Sequence, residues 1–483
     1  MKPEKRKEAK KIFEDTDITI CSTGKRYLGG AIGTDTFLQE YVETKVATWV
    51  MELERLAKYA AVEPHAAFAA LTHSLISRWL YVIRVVEECA AEIFQLLEIT
   101  IRHKIIPALM AQPAPSDEMR KLLALPARFG GLGIVDPTAI VTSQREASKA
   151  ISKPLVALIL RNGESCTDIE MINTSFARTG DVRQAQEQQQ QVKRRMRNQR
   201  QQEQQAEAES VIDQLPSAQR ECALVAQEKG VSSWLAAIPL DRAGFSLHKG
   251  AFRDALALRY NWPMQHLPQK CTCGEEFNVG HALVCRHGGF QIHRHNRVRD
   301  LVASLLTEVC PSVTTEPELQ PLSGERLGPS ANKDDKARLD VRASDFWGMN
   351  YQDAFFDIRV FYPFAPSYHY SKLSAVYRQH ENKKRAEYGR RVREIEHGSF
   401  TPLVFTTGGG MAPEATVFFK RLASLLSEKR SESYACVLGW MRCTISFLLL
   451  RSALMCIRGT RTKTKKISCD AIAEAVAGSH LKY

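Results

Sequence analysis

No apolar run in this chain reaches the ~20 residues that a membrane span requires. The purest stretch lies inside "CTISFLLLRSALMCI" (Cys443–Ile457), where eight residues separate Arg442 from Arg451. That length predicts a buried helix and argues against a membrane anchor. The start, "MKPEKRKEAKK", is charged with no apolar run behind it, so no secretory signal peptide is expected. The twelve cysteines are therefore read in a reducing compartment, nuclear or cytoplasmic, where clustered thiols signal metal before disulfide. Most stand alone, as Cys21, Cys89, Cys166, Cys222 and Cys310 do. Acidic residues are outnumbered, 54 against 66 basic, and the formal net charge of +12 favours a polyanionic partner, DNA or RNA. Hydrophobic content of 44% with 25% charged residues excludes a wholly disordered chain, and 483 residues exceed one ordinary core.

What is present changes character along the chain. "ITI" at 18–20 has strand character, and residues 36–112 repeat apolar positions at helical steps, punctuated by Pro64 and Pro107. "LPARFGGLGIVDP" (Leu125–Pro137) reads as a glycine-rich turn between helices. Residues 183–207 form a glutamine-rich block with almost no apolar side chains. It is either a solvated helix or a disordered linker, without a core of its own. Its Arg194, Arg195, Arg197 and Arg200 suit phosphate contacts, although a solvated hinge explains them as well. Residues 211–262 turn globular again, with Trp234, Phe245, Phe252 and Trp262 as core aromatics. Beyond residue 294 come a helix, the strands "ARLDVRA" and "AFFDIRVFYP", a charged helix over 371–397, the strand "TPLVFTT", two more helices and the basic tail "RGTRTKTKK". Residues 298–457 thus read as mixed α/β.

Two constellations carry chemistry. The first is "CTCGEEFNVGHALVC", in which Cys271, Cys273, His281 and Cys285 have the spacing C-x-C-x7-H-x3-C. Zinc takes four such donors in a tetrahedron. Cys271 and Cys273 flank a tight turn ending at Gly274, and the i, i+4 step puts His281 and Cys285 on one face of a helical turn. The alternative is two unrelated pairs of buried thiols, and His287, His293 and His295 are spare donors. Four protein ligands leave no open position, so the zinc would be structural.

The second constellation is a pair of acids. Residues two apart on a strand share a face, so Arg338, Asp340 and Arg342 lie together, as do Asp357 and Arg359. If the two strands form a hairpin, Asp340 and Asp357 meet, and a divalent cation resolves their repulsion. Two exposed acids neutralised by neighbouring arginines are the plainer explanation. In "HENKKRAEYGRRVRE", Glu381, Lys384 and Tyr388 form one helical stripe. A lysine there suits a scissile phosphate, and Arg390, Arg391 and Arg393 would track a nucleic-acid backbone. Glu316 or Glu318 adds a further acidic ligand.

In this order the elements resemble the C-terminal half of reverse transcriptases from non-LTR retrotransposons that carry a restriction-like endonuclease. The resemblance rests on the Cys-Cys-His-Cys knuckle, the dipeptide Arg294-His295, the strand acids Asp340 and Asp357, and the helical Lys384 and Tyr388. "GKRYLGGAIG" (Gly24–Gly33) resembles the strand that leads from the polymerase palm into the thumb. The resemblance implies a multidomain protein: a palm-like strand region at 1–35, an α-helical thumb-like domain at 36–165 and a Gln/Arg-rich linker at 166–215. A helical connector at 216–270, a zinc knuckle at 271–297, an α/β PD-(D/E)-x-K-like nuclease at 298–457 and a basic tail at 458–483 complete it. It also implies Mg²⁺ or Mn²⁺ at Asp340 and Asp357, catalytic roles for Lys384 and Tyr388, and nucleic-acid contacts from Arg294, His295, Arg359, Arg390 and Arg391.

The chain departs from the pattern in three places. Leu339 stands where the family has proline, Arg359 occupies the D-x-K lysine position, and sixteen residues separate the two acids. It also lacks the palm Asp-Asp: Asp334-Asp335 falls in the polar loop "SANKDDKARLD". Fingers and palm would precede residue 1, so the chain is expected to be a fragment that nicks DNA and does not copy RNA. The rival expectation is a nucleic-acid-binding module whose nuclease core is inactive.

Overall fold

The computed structural model describes residues 8–460 except 10, 18–20, 88–89, 163–169, 321–336, 349–351 and 370. For 161–162 and 170–180 it describes backbone alone. The expected strand at 18–20, the Asp334-Asp335 loop and the tail beyond 460 lie outside the described residues. The chain is multidomain, mostly helical with a small mixed sheet. It divides into two units, Met1–Arg220 and Glu221–Tyr483.

The first unit opens on a hairpin of β1 (Gly24–Tyr27) and β2 (Gly30–Gly33). Leu28 and Gly29 turn it with positive φ values of 46° and 78°, and glycine accepts such a φ without strain. Tyr41 donates to the Gly29 carbonyl at 2.7 Å, tying the hairpin to α1 (Asp35–Ala60). Thr34 caps that helix by accepting from the Phe37 amide. Leu38, Val42, Val46, Trp49 and Leu53 form the buried stripe that its periodicity predicts. Two helices with internal π turns follow, α2 (Pro64–Val85) and α3 (95–110). Pro64 starts α2, where its missing N–H costs nothing.

After α4 (Asp117–Ala124) the "LPARFGG" turn is fixed from both sides. A Cβ on Gly131 would collide with the Leu122 and Leu125 carbonyl oxygens. Arg120 is 4% exposed and donates to Glu98 at 2.7 and 2.6 Å and to the Ile134 carbonyl at 2.7 Å. Burial raises the Glu98 carboxyl even against Arg120. Removing one member of such a pair strands a buried charge. Glu98→Ala is expected to destabilise the unit by about 3–5 kcal/mol, read as a lower denaturant midpoint. Unchanged stability would show that the pair holds nothing in place.

The glutamine-rich block lies within α6 (Glu170–Asp213), which runs against α5 (Val141–Asn162) and α4. Of the two readings of the block, the helix is the one observed. Its Ala185, Ala208, Val211 and Ile212 are buried, and most of its glutamines and arginines are exposed, with Gln189, Arg200 and Gln204 half-buried.

The second unit begins with α7 (Ser217–Ala226), whose first turn straddles the division, and continues through α8 (Lys249–Tyr260), α9 (Val279–Val284) and α10 (Phe290–Thr307). Of the four expected core aromatics, Trp234 and Phe252 are buried, and Phe245 and Trp262 are half-buried. The sheet has the order β3 (Val313–Thr315), β4 (Val341–Ser344), β5 (Asp353–Phe361), β6 (Ser399–Thr406). The first three strands are antiparallel, and β6 is parallel to β5. A parallel neighbour needs a crossover, supplied here by α11 (Leu373–Glu394). Helices α12 (Pro413–Arg430) and α13 (Tyr434–Arg458) close the unit.

Strand alternation divides β5. Phe356 and Ile358 join the main core with α10, α12 and α13, whereas Phe355 packs with Val392 of α11. Asp357 therefore faces the α11 side. By length and composition α2 and α13 are apolar enough to cross a membrane. In α13, Val437, Met441, Ile445 and Leu449 line the main core.

Candidate metal centre and carboxylate site

Local structure brings the four knuckle residues together. Gly274, at φ 97°, turns the chain after Cys273, and its amide donates to the Cys271 carbonyl at 2.9 Å. Asn278 caps α9 by accepting from the His281 amide at 2.8 Å. One helical turn later the Cys285 amide donates to the His281 carbonyl, so both side chains leave the same face. Cys271 Sγ and Cys285 Sγ are 3.8 Å apart, and Cys273 Sγ is 3.4 Å from His281 Nε2.

All four ligand atoms lie within 4.8 Å of one another. A tetrahedron with Zn–S of about 2.3 Å has S–S edges of about 3.8 Å. The cluster can hold a metal ion such as zinc. Burial pushes the Cys285 thiol up. It does the same to Cys271, but hydrogen bonds from the Cys273 backbone and from His281 outweigh it and bring that thiol down. A lowered thiol is one poised to ligate. Phe277, Leu283, Phe290, Cys456 and Ile457 wrap the cluster.

The second site lies on the α11 face of the sheet, at its two central strands. Val341 pairs with Phe356 across the hairpin, and the Asp340 amide donates to the Phe356 carbonyl at 3.1 Å. Asp340 thus sits just ahead of β4, beside Asp357. Its Oδ2 accepts from the Ile358 amide at 2.5 Å, and its Oδ1 lies 2.7 Å from His295 Nε2. Lys384 Nζ lies 3.0 Å from Asp357 Oδ2 and 3.8 Å from Glu387. That Oδ2 is fully buried, and its contact with the lysine is an ion pair. Burial raises both carboxyls; the Ile358 amide and Lys384 oppose the rise at Asp340, and at Asp357 Lys384 opposes it while the neighbouring Asp340 adds to it. Asp357 is buried and Asp340 half-buried, and two carboxylates held side by side repel unless positive charge stands near them, as Lys384 does here.

The remaining expected residues divide between site, core and solvent. Tyr388 is half-buried beside Phe400, and Lys384 Nζ stands 5.2 Å over its ring. Glu381 leaves the stripe: its Oε1 accepts from the Glu414 amide at 3.0 Å, which caps α12. Glu316 is held by Arg299 and Glu318 by Arg338.

Three residues expected to contact nucleic acid point elsewhere. Arg294 is 4% exposed and donates to the Leu283 carbonyl at 3.3 Å. Arg391 is 3% exposed. His295 is turned onto Asp340. The physical reason is the rotation of α10 and α11, set by their apolar neighbours, which carries these groups inward. Arg390 is exposed but paired with Glu394 at 3.1 Å. Arg359 is exposed and has no ion pair among the described residues.

Two neighbours escaped the sequence. Arg299 stands one turn after His295 with only 14% of its side chain exposed, and Glu387 stands three residues after Lys384. Their i, i+4 and i, i+3 steps were the available signal. Compared with models of protein families and with curated proteins, the sequence matches none.

Proposed function

We propose that the chain is a retroelement-derived, nucleic-acid-binding protein whose second unit nicks DNA by metal-dependent phosphodiester hydrolysis. The observation that carries this is the convergence of four elements on one carboxylate pair, buried at Asp357 and half-buried at Asp340. Asp340 comes from the edge of β4, Asp357 from β5, Lys384 from α11 and His295 from α10. A surface hairpin with stray acids would not bury them or aim a lysine at them. The resemblance read from the sequence supplies the reaction class. In a complete element, the freed 3′-hydroxyl would prime reverse transcription.

In this reading Asp340 and Asp357 hold Mg²⁺ or Mn²⁺. When bound, such an ion acidifies a water molecule and offsets charge on the phosphate. Lys384 presents its ammonium to the phosphate oxygens that gain charge in the transition state. Tyr388 packs beneath the lysine and limits its reach. Burial holds His295 below the usual histidine range, so the ring is neutral near pH 7. Protonated on Nε2, it donates to Asp340 and fixes that carboxylate's orientation. Arg294 reaches the knuckle from the same helix. The Arg-His dipeptide thereby braces the two sites against one helix, one residue each, and the zinc knuckle orders the entry to the nuclease.

A second reading has two observations in its favour. Lys384 already neutralises Asp357, and Arg359 replaces the usual lysine, as would suit an inactive module that binds nucleic acid through its basic surface. Titration of the zinc-loaded chain with Mn²⁺ separates the two. An enzyme is expected to show a second, weaker class of divalent site that disappears in Asp357→Ala. A chain that takes up zinc and nothing more contradicts the enzyme.

A further inference from the structure

The three sulfurs of the knuckle are not equally sheltered. Cys271 and Cys285 are buried, whereas Cys273 is half-buried. Cys273 is therefore the sulfur that a small solute reaches first. It stands within 4.8 Å of both other sulfurs. Thiolates gathered this closely join once one of them is oxidised. Cys271 is the poorer partner for Cys273. A bridge between them would span a single residue, Thr272, inside a turn that the Gly274 amide and the Cys271 carbonyl hold at 2.9 Å. Cys285 arrives from the other side of the cluster, at the end of α9, and is free of that constraint.

We propose that the knuckle is a redox switch: hydrogen peroxide joins Cys273 to Cys285, expels the zinc and, through α10, disengages the carboxylate site. The Cys273 thiolate attacks the peroxide. An S–O bond forms, the O–O bond breaks and hydroxide leaves, giving a sulfenic acid. The Cys285 thiolate then attacks that sulfur, the S–S bond forms and a second hydroxide leaves. Two protons from solvent turn both hydroxides into water, so the thiolates lose the two electrons that the peroxide gains. Zinc, left with Cys271 and His281, has lost half of its ligands and departs.

The bridge also moves the fold. Closing two sulfurs from a zinc edge of about 3.8 Å to a bond of about 2.05 Å draws the end of α9 toward the turn. Leu283, two residues before Cys285, passes the shift on, because its carbonyl accepts from Arg294. His295, the next residue on α10, holds Asp340 at 2.7 Å. The switch rests on the zinc assignment, and its last step on the nuclease reading. In the reducing compartment expected for this chain, disulfides are transient and serve sensing.

The test treats the zinc-loaded full chain with hydrogen peroxide and follows zinc release with a chromogenic chelator. Peptide mapping without reductant locates the bridge by mass. One zinc released per Cys273–Cys285 disulfide is expected, reversed by dithiothreitol and added zinc. Cys273→His keeps a fourth zinc ligand but removes the reachable sulfur, and should hold its zinc at the peroxide dose that empties the parent. Zinc lost from this variant at the parent's rate overturns the proposal. So does a bridge that omits Cys273, or release without any disulfide. A parent that takes up no zinc overturns it together with the zinc assignment. Nicking is followed on the same samples. A parent that nicks equally well with and without its zinc refutes the coupling to Asp340. A parent that never nicks refutes the nuclease reading, and zinc release and mapping still decide the switch.

Discussion

Zinc-free protein is expected to lose the ordered segment Cys271–Cys285, and with it any nicking. A structural zinc contributes roughly 10–16 kcal/mol in small finger peptides, against about 5–15 kcal/mol for the folding of a whole domain. Few other contacts hold this segment. Its helix α9 is six residues long, and beyond the metal it relies on the small cluster around Phe277, Leu283 and Phe290. The effect should spread. Arg294 donates to the Leu283 carbonyl, and the next residue on α10 fixes Asp340.

One zinc per chain by elemental analysis, lost in Cys285→Ala together with protection of the segment from protease, is the predicted result. Had the cluster been two pairs of buried thiols, chelation would change nothing. A folded, protease-resistant chain without bound metal would therefore contradict the zinc assignment.

The second large effect concerns Lys384. Lys384→Met is expected to slow nicking by about 10²–10³-fold, the usual loss when one preorganised electrostatic donor is removed from a transition state. Methionine keeps an apolar stem against Tyr388 and removes only the ammonium. The side chains that seat α11, Val376, Tyr377 and Val392, are untouched, but the buried Asp357 loses its ion-pair partner, so the melting temperature is expected to fall, and rates are compared at a temperature where the variant is still folded. Duplex affinity should change little, because the ammonium faces Asp357 at 3.0 Å and not the outer surface. An equal loss of binding and rate would mean that Lys384 grips DNA and has no part in the chemical step.

Spacing made both sites legible, and rotation concealed their surroundings. C-x-C before a glycine and H-x3-C on a capped helical turn are local geometries, so Cys271, Cys273, His281 and Cys285 meet as the sequence implies. Alternation on two strands likewise placed Asp340 beside Asp357 once the hairpin closed. Arg294, His295 and Arg391 were harder. Periodicity assigns arginine and histidine to solvent, and the apolar neighbours on α10 and α11 turned these three inward, Arg294 and His295 onto acceptors. The glutamine-rich block left two readings open, and the structure has the helix, largely exposed. Its one buried side chain, Ala185, carries almost no hydrophobic signal in a window dominated by glutamine. Arg299 and Glu387 were visible only as helical neighbours of residues already chosen.

The central claim is metal-dependent nicking by the second unit. Its most direct measurement follows supercoiled plasmid to open circle with zinc-loaded protein in Mg²⁺ or Mn²⁺, beside Asp340→Ala and Asp357→Ala. Nicking by the parent chain, abolished in both variants while each still binds the plasmid, is the predicted result. A folded, zinc-loaded parent that leaves the plasmid supercoiled in either metal contradicts the account.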